Sequence, residues 1–295
     1  MSGRPLFGRV AIIGVGLIGS SLARAIRRHG LARRLVACDA SASVRAKIRE
    51  LDLADEVTAS PVAAARRADL VMIATPLSSY AALGRALGPR LKAGAILSDV
   101  GSVKQAALRD LAPFLRKGPH LVPGHPIAGT EHSGPEAGFA ELFAGRWCVL
   151  TPAPGTSPRA TMRVRALWRR CGMTVETMDA AHHDRVLAIT SHVPHLIAYT
   201  IVNTANDLES HLRGEVIKFA AGGFRDFTRV AASDPVMWRD VFLNNREAVL
   251  EMLGRLYEDI ALMQKAIRLG EGKTLFEVFR RARRIRRKIV QAKQG

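Results

Sequence analysis

The sequence predicts an α/β protein in which a domain built on a parallel sheet is followed by an all-α domain. Short apolar runs alternate with helical patterns through the first half of the 295 residues, as a parallel sheet with crossover helices requires. Strand signals stop after Asp179, and helical periodicity continues from there to the end. We therefore expect two domains, residues 1–178 and 179–295, each close to the usual size of about 100–200 residues.

The elements of the first domain are expected to alternate along the chain. Apolar runs of strand length occur at 10–13, 35–38, 69–75, 95–100 and 120–122. Apolar residues recur with helical spacing at 17–29, 41–51 and 102–116. Two further apolar runs, 146–150 and 174–178, are predicted to be edge strands. This order is typical of a parallel sheet whose strands are joined by helices.

A glycine-rich turn follows the first predicted strand. The residues Gly14-Val15-Gly16-Leu17-Ile18-Gly19 lie between that strand and the first helix. Gly14 permits a tight turn, Gly16 lets the backbone approach a pyrophosphate, and Gly19 allows close packing of helix on strand. The phosphates then meet the helix N-terminus, beside Leu17 and Ile18. The context indicates a Rossmann-type dinucleotide-binding domain.

An acidic residue, Asp39, closes the second predicted strand. Its carboxylate would accept hydrogen bonds from the adenosine ribose and repel a 2′-phosphate, so NAD is the expected cofactor. Arg45 lies one turn further and could reach a 2′-phosphate, which leaves NADP as an alternative. Thr75 and Pro76 end a later strand where such folds approach the nicotinamide ribose, although Pro76 is equally consistent with a simple helix start.

The charge and cysteine content bear on partners and location. A formal net charge of +18 suits nucleic acid or an anionic substrate, but the arginines are scattered, and the cluster at 280–288 is interpreted as a solvated helical face. We therefore expect no nucleic-acid partner.

Cys38, Cys148 and Cys171 form no C-x-x-C pair, so neither a disulfide framework nor a metal site is expected. With a polar segment 1–8 unlike a signal peptide, a cytoplasmic location is expected.

One uncharged stretch, 186–206, is long enough to be tested as a membrane span. It contains two histidines, a proline, two asparagines and several hydroxyl residues, whose transfer into the hydrocarbon core of a membrane is unfavourable. We interpret it as a helix buried in protein, in an oligomer core, and expect no membrane association.

Five blocks of sequence resemble one enzyme family. Beside the glycine motif, they are DVGSVK at 99–104, GHPIAGTE at 124–131, SHVPH at 191–195, and GGFRDFTR at 222–229 followed by SDPVMW at 233–238. They occur in the order found in prephenate/arogenate (cyclohexadienyl) dehydrogenases, over roughly residues 10 to 240. The resemblance implies NAD(P)-dependent oxidation of prephenate to 4-hydroxyphenylpyruvate, or of arogenate to tyrosine, with loss of carbon dioxide. It does not separate the two substrates, and with the long apolar helices it implies a homodimer.

The resemblance also implies catalytic residues. His125 matches the catalytic histidine of the family, which would accept the proton of the ring hydroxyl as hydride leaves. Ser102 matches a serine near the nicotinamide and the histidine, although a helix N-cap role is equally consistent with its position.

Substrate-binding residues follow in the same way. Arg229 matches an arginine whose planar guanidinium suits a substrate carboxylate, and His195 matches a substrate-positioning histidine. His192 lies one turn from His195 beside Pro194, and a kink there could turn both side chains into a cleft. The remaining expected members are Ser191 as a supporting donor, Thr130 and Glu131 at the rim, Trp238 and Asp226 around the site, and His182 and His183 as exposed residues at a helix start.

Two other functions fit parts of the sequence. A dehydrogenase of the 3-hydroxyacid type would use a catalytic lysine in the helical domain, for which Lys218 is the candidate, but it would leave GHPIAGTE and DFTR unexplained. A dinucleotide-sensing nucleic-acid binder would explain the charge, but the scattered arginines and few tyrosines offer little of the required pattern.

Overall fold

The computed structural model describes residues 4–207, 215, 218–220 and 222–291, so residues 1–3 of the polar N-terminal segment lie outside it. The chain forms two compact units, Met1–Arg246 and Glu247–Gly295. The first unit holds both sheets and the helices that follow the sheets up to Arg246.

The larger sheet has six parallel strands in the order β3-β2-β1-β4-β5-β6. They are β1 Phe7–Ile13, β2 Ala32–Cys38, β3 Glu56–Thr58, β4 Leu70–Ile73, β5 Ile96–Asp99 and β6 His120–Leu121. This is the strand order of a Rossmann dinucleotide-binding domain, and the order reverses between β1 and β4. Ligands bind such sheets outside the carboxyl ends of the strands at that reversal. The predicted fold class of this half is confirmed.

A smaller sheet lies in the order β7-β8-β9, with β7 antiparallel and β9 parallel to β8. Its strands are β7 Gly124–Ile127, β8 Trp147–Leu150 and β9 Thr174–Thr177. The prediction of two edge strands is right for β9 and wrong for β8, which lies in the middle because β7 pairs with its other side. The proline in β7 obscured that strand, since proline weakens strand signals and is confined to edge strands such as this one.

Twelve α-helices are present among the described residues. They are α1 Leu17–Arg28, α2 Ala42–Glu50, α3 Pro61–Ala65, α4 Tyr80–Leu87, α5 Lys104–Leu111, α6 Pro158–Arg170, α7 Ala180–Leu187, α8 Val193–Asn206, α9 Gly222–Thr228, α10 Pro235–Asn244, α11 Arg246–Arg268 and α12 Gly272–Gln291. Helix α5 is shorter than the predicted 102–116 and passes into a 3₁₀ turn at Ala112–Phe114, because Pro113 cannot donate within an α-helix.

The core lies on both faces of the larger sheet. Val10 and Ile12 of β1 point into one apolar cluster with α1, while Ala11 and Ile13 point into another that includes Tyr80 and residues of α5. This alternation follows from the two-residue period of a strand and leaves the sheet covered on both sides. The sheet therefore provides a rigid base for the residues that follow its strands.

The stretch predicted to be buried, 186–206, is largely at the surface of the chain. Within α8 only Val193 and Ala198 are buried, whereas Ile201 and Val202 are exposed. Among the described residues, one helical stretch, Ala180–Asn206, has the length and hydropathy to cross a membrane, and 28% of its most apolar window is buried. Length and composition alone are weak grounds for a span, and Ser191 and His195 of this stretch line a polar cavity described below.

Candidate active site

The glycine turn after β1 has the geometry expected for dinucleotide binding. Gly14 has a φ of +90°, and a Cβ atom there would lie 2.6 Å from the Ala74 carbonyl oxygen. A Cβ atom on Gly19 would lie 2.1 Å from the Gly14 carbonyl oxygen, so α1 starts in direct contact with the turn. Around Gly16, by contrast, a Cβ atom would meet nothing within 4 Å. The turn is thus tight where the protein packs and open at the N-terminus of α1, where a pyrophosphate would bind.

Asp39 lies beside this turn at the end of β2. Its Oδ2 atom accepts a hydrogen bond from the Val15 amide at 3.0 Å, and its Oδ1 atom accepts one from the Ser41 amide at 2.9 Å. Two lone pairs remain on the carboxylate for a ribose. The Arg45 guanidinium donates to the carbonyl oxygens of Asp39 and Ala40, at 2.9 and 2.7 Å. Arg45 is therefore adjacent to Asp39, but its Nη1 atom is already bound to the backbone.

Thr75 and Pro76 follow β4 on the other side of the strand-order reversal. The Thr75 methyl group packs close to Gly14, and the Thr75 hydroxyl lies 2.6 Å from the Ser79 hydroxyl. Pro76 immediately precedes a 3₁₀ turn at Leu77–Ser79. Both interpretations of Pro76 therefore agree with its position. The predicted cofactor residues meet at one edge of the sheet.

His125 lies in β7, with 7% of its surface exposed. The amide and the carbonyl of the preceding residue, Gly124, both form hydrogen bonds with buried side chains. Its amide donates to Asp99 Oδ1 at 3.1 Å, and its carbonyl accepts from Lys104 Nζ at 2.6 Å. Lys104 and Asp99 also pair with each other at 2.6 Å, with both side chains fully buried. The DVGSVK block thus fixes the backbone that carries the imidazole.

His125 is hydrogen-bonded to a second histidine, and that histidine to a carboxylate. The Nδ1 atom of His125 lies 2.9 Å from Nε2 of His183, and Nδ1 of His183 lies 2.8 Å from Oδ1 of Asp184. His183 and Asp184 are fully buried. The prediction that His183 is exposed is therefore wrong, whereas His182 is exposed as expected. The signal was available in the spacing, since the buried residues of α7 are Ala180, His183, Asp184 and Leu187.

Asp184 also caps the N-terminus of α5. Its two carboxylate oxygens accept from the backbone amides of Lys104 and Gln105, at 2.8 and 2.9 Å. No side-chain cap is made by the residue that precedes α5, which is Val103. The alternative role of Ser102 as an N-cap is therefore not observed. Asp184 supplies the capping interaction from a distant part of the chain, which local sequence could not reveal.

A cavity of about 520 Å³ opens beside His125. All seven residues predicted to be catalytic or substrate-binding line it: His125, Ser102, Ser191, His195, Thr130, Glu131 and Arg229. The wall also includes Trp238, Met237, Ile127, Phe139, Leu142 and Arg146. The predicted cofactor residues are not part of this wall. The sequence blocks at 102, 125–131, 191–195 and 229–238 are therefore brought together around one volume.

His195 is fixed on two sides. Its Nδ1–H group donates to the Ser191 carbonyl at 2.8 Å, and its ring stacks on Trp238 with centroids 3.7 Å apart. Because Nδ1 carries the proton, Nε2 of the neutral ring is an acceptor. Burial lowers the pKa of His195, which favours that neutral form. His195 thus presents a hydrogen-bond acceptor to the cavity rather than a second positive charge.

His192 does not follow His195 into the cavity. It is fully buried, and its Nδ1 atom accepts a hydrogen bond from Asn245 Nδ2 at 3.0 Å. Burial lowers its pKa to about 4. A π-helical turn at Ala188–His192 ends just before Pro194. The expectation that both histidines face a cleft is wrong for His192.

Arg229 forms an ion pair with Glu131, with Nη1 3.1 Å from Oε2. The Arg229 side chain is 59% exposed, so the guanidinium lies at the mouth of the cavity rather than in its depth. Thr130 accepts a hydrogen bond from the His132 amide and shapes the same loop. Of the two residues expected around the site, Trp238 is buried in the cavity wall and Asp226 is exposed.

The environment of His125 favours its neutral form. Burial lowers its pKa well below the usual value, and the neighbouring His183, Lys104 and His192 act in the same direction. A neutral imidazole that lines such a cavity can accept a proton from a hydroxyl group. Among the described residues, no group of three or more His, Cys, Asp or Glu side chains is arranged to hold a metal ion. The site therefore offers acid–base chemistry together with binding of an anion.

Similarity to known proteins extends over nearly the whole chain. The family described as prephenate dehydrogenase, nucleotide-binding domain, matches residues 22–177, and prephenate dehydrogenase, dimerization domain, matches residues 179–281. A cyclohexadienyl dehydrogenase from Zymomonas mobilis is 40% identical over 282 residues, which cover 95% of this chain and 96% of that protein.

Two solved structures have the same fold throughout. A prephenate dehydrogenase from A. aeolicus, in complex with hydroxyphenyl propionate and NAD⁺, superimposes with a TM-score of 0.88 at 33% identity, covering 96% of this chain and 98% of that one. An arogenate dehydrogenase from Synechocystis gives a TM-score of 0.80 at 26% identity, covering 95% and 99%. The matched domains, the sequence identity and the shared architecture agree, and the chain belongs to the prephenate dehydrogenase family.

Proposed function

We propose that the chain catalyses the NAD-dependent oxidative decarboxylation of prephenate to 4-hydroxyphenylpyruvate, or of arogenate to tyrosine. The observation that carries this proposal is the single cavity in which His125 lies with Ser102, His195 and Arg229. A proton acceptor and a carboxylate-binding cation are what the two ends of such a substrate require. The family membership described above supports the same reaction.

His125 is assigned the ring hydroxyl of the substrate. The carbon bearing this hydroxyl loses hydride, and the neutral imidazole accepts the hydroxyl proton as the carbonyl develops. Ser102 is assigned to the orientation of His125 and of the bound nicotinamide. Loss of the ring carboxylate then gives an aromatic phenol, so the second step needs little help from protein groups.

Arg229 and His195 are assigned to substrate binding. A guanidinium binds a carboxylate through two parallel hydrogen bonds, and substrate would compete for Arg229 with Glu131. His195 and Ser191 would position the ring, and Thr130 and Glu131 would contact the side chain at the rim. The net charge of +18 would also favour encounter with an anionic substrate.

NAD is the proposed cofactor, and its nicotinamide ring would accept the hydride. The open space at Gly16 and the two remaining lone pairs on Asp39 fit a pyrophosphate and an adenosine ribose. The anionic Asp39 disfavours a 2′-phosphate, and the Nη1 atom of Arg45 is bound to backbone carbonyls. NADP is therefore the second choice.

We further propose a homodimer with a domain boundary after residue 178. The second matched domain is described as a dimerization domain, and it starts at residue 179. Large apolar side chains are exposed in the second unit, including Tyr257, Ile260, Phe276 and Phe279. A second copy of the chain would cover such surfaces.

The three cysteines are buried and free, which supports action in the reducing cytoplasm.

The alternative 3-hydroxyacid dehydrogenase has no support at its candidate lysine. Lys218 is exposed, lies 5.3 Å from the ring centroid of Phe219, and is not part of the cavity wall.

The direct test is turnover of purified protein with each combination of prephenate or arogenate and NAD or NADP. We expect reduced cofactor and carbon dioxide in equal amounts from at least one combination, with NAD preferred. Absence of turnover with all four combinations would refute the proposed reaction. The comparison between the two substrates decides which one the enzyme prefers.

A further inference from the structure

We propose that His183 and Asp184 are positioning residues that fix the tautomer of His125, so that its Nε2 atom presents a lone pair to the cavity. The inference deepens the proposed function and rests on it for the role of His125. Both side chains are fully buried and neither is part of the cavity wall. They can therefore act on the reaction only through residues that they contact, and the cavity residue hydrogen-bonded to His183 is His125.

Asp184 sets the direction of the first hydrogen bond. Its carboxylate accepts from the Lys104 and Gln105 amides, and a carboxylate group acts only as a hydrogen-bond acceptor. The contact between Asp184 Oδ1 and His183 Nδ1, 2.8 Å long, therefore requires the His183 proton to be on Nδ1. Neutral His183 then has a lone pair on Nε2.

His183 sets the direction of the second hydrogen bond. Its Nε2 atom lies 2.9 Å from His125 Nδ1, and the rings meet edge to face with an interplanar angle of 69°. Since His183 Nε2 is the acceptor, His125 must donate from Nδ1–H. The remaining ring nitrogen of His125, Nε2, is then unprotonated. This is the tautomer that can accept a hydroxyl proton.

The surroundings keep both rings neutral and in place. Burial lowers the pKa of His125 and of His183, and the Lys104 ammonium opposes a further positive charge near them. Asn245 Nδ2 donates to the Asp184 backbone carbonyl at 2.8 Å. Asp184 is thus bound through its side chain to α5 and through its backbone to Asn245, which leaves the carboxylate little freedom to rotate away.

The first test reads the tautomer directly in protein without substrate. Nitrogen NMR of histidine-labelled protein distinguishes protonated from unprotonated ring nitrogens, and His125→Asn identifies the His125 signals by their loss. We expect Nδ1 of His125 to be protonated and Nε2 unprotonated. A proton on Nε2 in the unsubstituted protein would overturn the proposal, whatever reaction the protein catalyses.

The second test reverses the hydrogen bonds with Asp184→Asn. The amide nitrogen can take the position of Oδ1 or of Oδ2, each of which faces a backbone amide of α5. At the Oδ1 position it donates to His183 Nδ1, which moves the His183 proton to Nε2 and the His125 proton to its cavity side, and the nitrogen NMR signals of the variant show whether His183 has reversed. Imposing the wrong histidine tautomer by this kind of change lowers kcat by about 10⁴-fold in serine proteases. We expect kcat to fall by about 10²- to 10⁴-fold with KM changed only a few-fold. Asp179→Asn is the control. Asp179 is exposed and caps α7, the helix that contains Asp184, so this variant should keep full activity.

The third test separates hydrogen bonding from packing and does not depend on α5 remaining capped. In His183→Gln the amide oxygen can still accept from His125 Nδ1–H, whereas His183→Leu offers no acceptor. We expect the Gln variant to retain at least tenfold more kcat than the Leu variant, and His182→Gln to match the unsubstituted enzyme. A purely structural role predicts equal kcat for Gln and Leu, or the advantage for Leu in this buried position.

These outcomes distinguish the inference from the proposed function. If no substrate pair is turned over, the reaction is wrong, but the NMR measurement still decides the tautomer. If turnover is found and His125 keeps its tautomer in an Asp184→Asn variant whose His183 proton has moved to Nε2, the relay is wrong while the reaction stands.

Discussion

The indole of Trp238 lies against the imidazole of His195, with ring centroids 3.7 Å apart and planes inclined by 25°. The stack covers one face of the histidine, while the hydrogen bond from Nδ1–H to the Ser191 carbonyl fixes its edge. Together they leave the histidine few orientations in the cavity. The indole is therefore expected to act on substrate binding through His195.

Replacement of Trp238 tests this support. Aromatic pairs contribute about 0.5–1.5 kcal/mol beyond their buried area, so Trp238→Leu should raise KM by roughly 2- to 10-fold. Trp238→Phe keeps a stacking partner and should raise KM less. Steady-state kinetics with both variants measures the difference. Equal KM values for the Leu and Phe variants would show that stacking does not position His195.

Replacement of the proton acceptor, His125→Asn, should lower kcat much more than it changes KM. General-base assistance contributes about 10²- to 10⁴-fold, and the asparagine amide cannot accept the proton. The matched substitution of the exposed neighbour of His183, His182→Asn, should leave kcat unchanged. A His125→Asn enzyme with near-normal turnover would contradict the assigned role.

The pH dependence of the unsubstituted enzyme checks the same assignment. Neutral His125 is the active form, so activity is lost as pH falls through the pKa of His125 in the folded protein. Burial lowers that pKa well below 6.5, helped by His183, Lys104 and His192. We therefore expect kcat/KM to be constant from pH 8 down to 6.5 and to fall only at lower pH. A loss of activity centred at or above pH 6.5 would argue against a buried, neutral acceptor.

Arg229→Ala should weaken substrate binding. Hydrogen bonds to charged groups contribute about 1.5–3 kcal/mol, which corresponds to a rise in KM of roughly 10- to 100-fold. Arg229→Lys should recover only part of this, because an ammonium cannot form the two parallel bonds of a guanidinium. Arg225→Ala, on the exposed side of the same segment, is the control for loss of charge. Equal effects of the Arg229→Ala and Arg225→Ala changes would mean that overall charge, rather than the cavity mouth, binds the substrate.

The choice of cofactor should depend on Asp39. Asp39→Asn keeps a side chain of the same size but removes the charge that repels a 2′-phosphate. We expect the ratio of kcat/KM for NAD to that for NADP to shift at least about tenfold toward NADP. Asp52→Asn, far more exposed and paired with Arg27, serves as the control. An unchanged ratio would place cofactor discrimination elsewhere.

Local patterns in the sequence were sufficient for the parts of the site that single segments carry. The turn at Gly14, the acidic end of β2 and the segment around His125 each lie within one strand and its following loop. The seven residues taken from the family resemblance line one cavity because their segments all end at its wall. Local pattern thus predicts the cofactor turn, and the family resemblance predicts which segments meet at the cavity.

The hydrogen bonds behind His125 join distant segments, so the helical spacing of α7 can indicate that His183 is buried but not which residues it contacts. His183 lies 58 positions from its partner, and Asp184 caps a helix 80 positions away. His183 lies on the buried face of α7 and contacts His125 of β7 and Asp184. Strand β7 was missed for a different reason, because a Gly-His-Pro segment has no strand propensity and pairs only through its neighbour β8.

The buried pair of Lys104 and Asp99 should be the most sensitive electrostatic contact for stability. Lys104→Met leaves the Asp99 charge buried with no cation, and removal of one partner of a buried pair costs about 3–5 kcal/mol. Lys92→Met removes the cation from an ion pair of similar length, 2.5 Å, but one that is partly exposed, so it should cost about 1 kcal/mol or less. Urea unfolding of both variants measures the two losses. Tyr80 and the backbone amides of Gly101 and Gly124 still donate to Asp99 in Lys104→Met, so the loss should lie near the lower end of that range. Equal losses in the free energy of unfolding for the two lysine variants would show that water or a rearranged partner reaches Asp99. They would also show that the contact between Lys104 and the Gly124 carbonyl contributes little to stability.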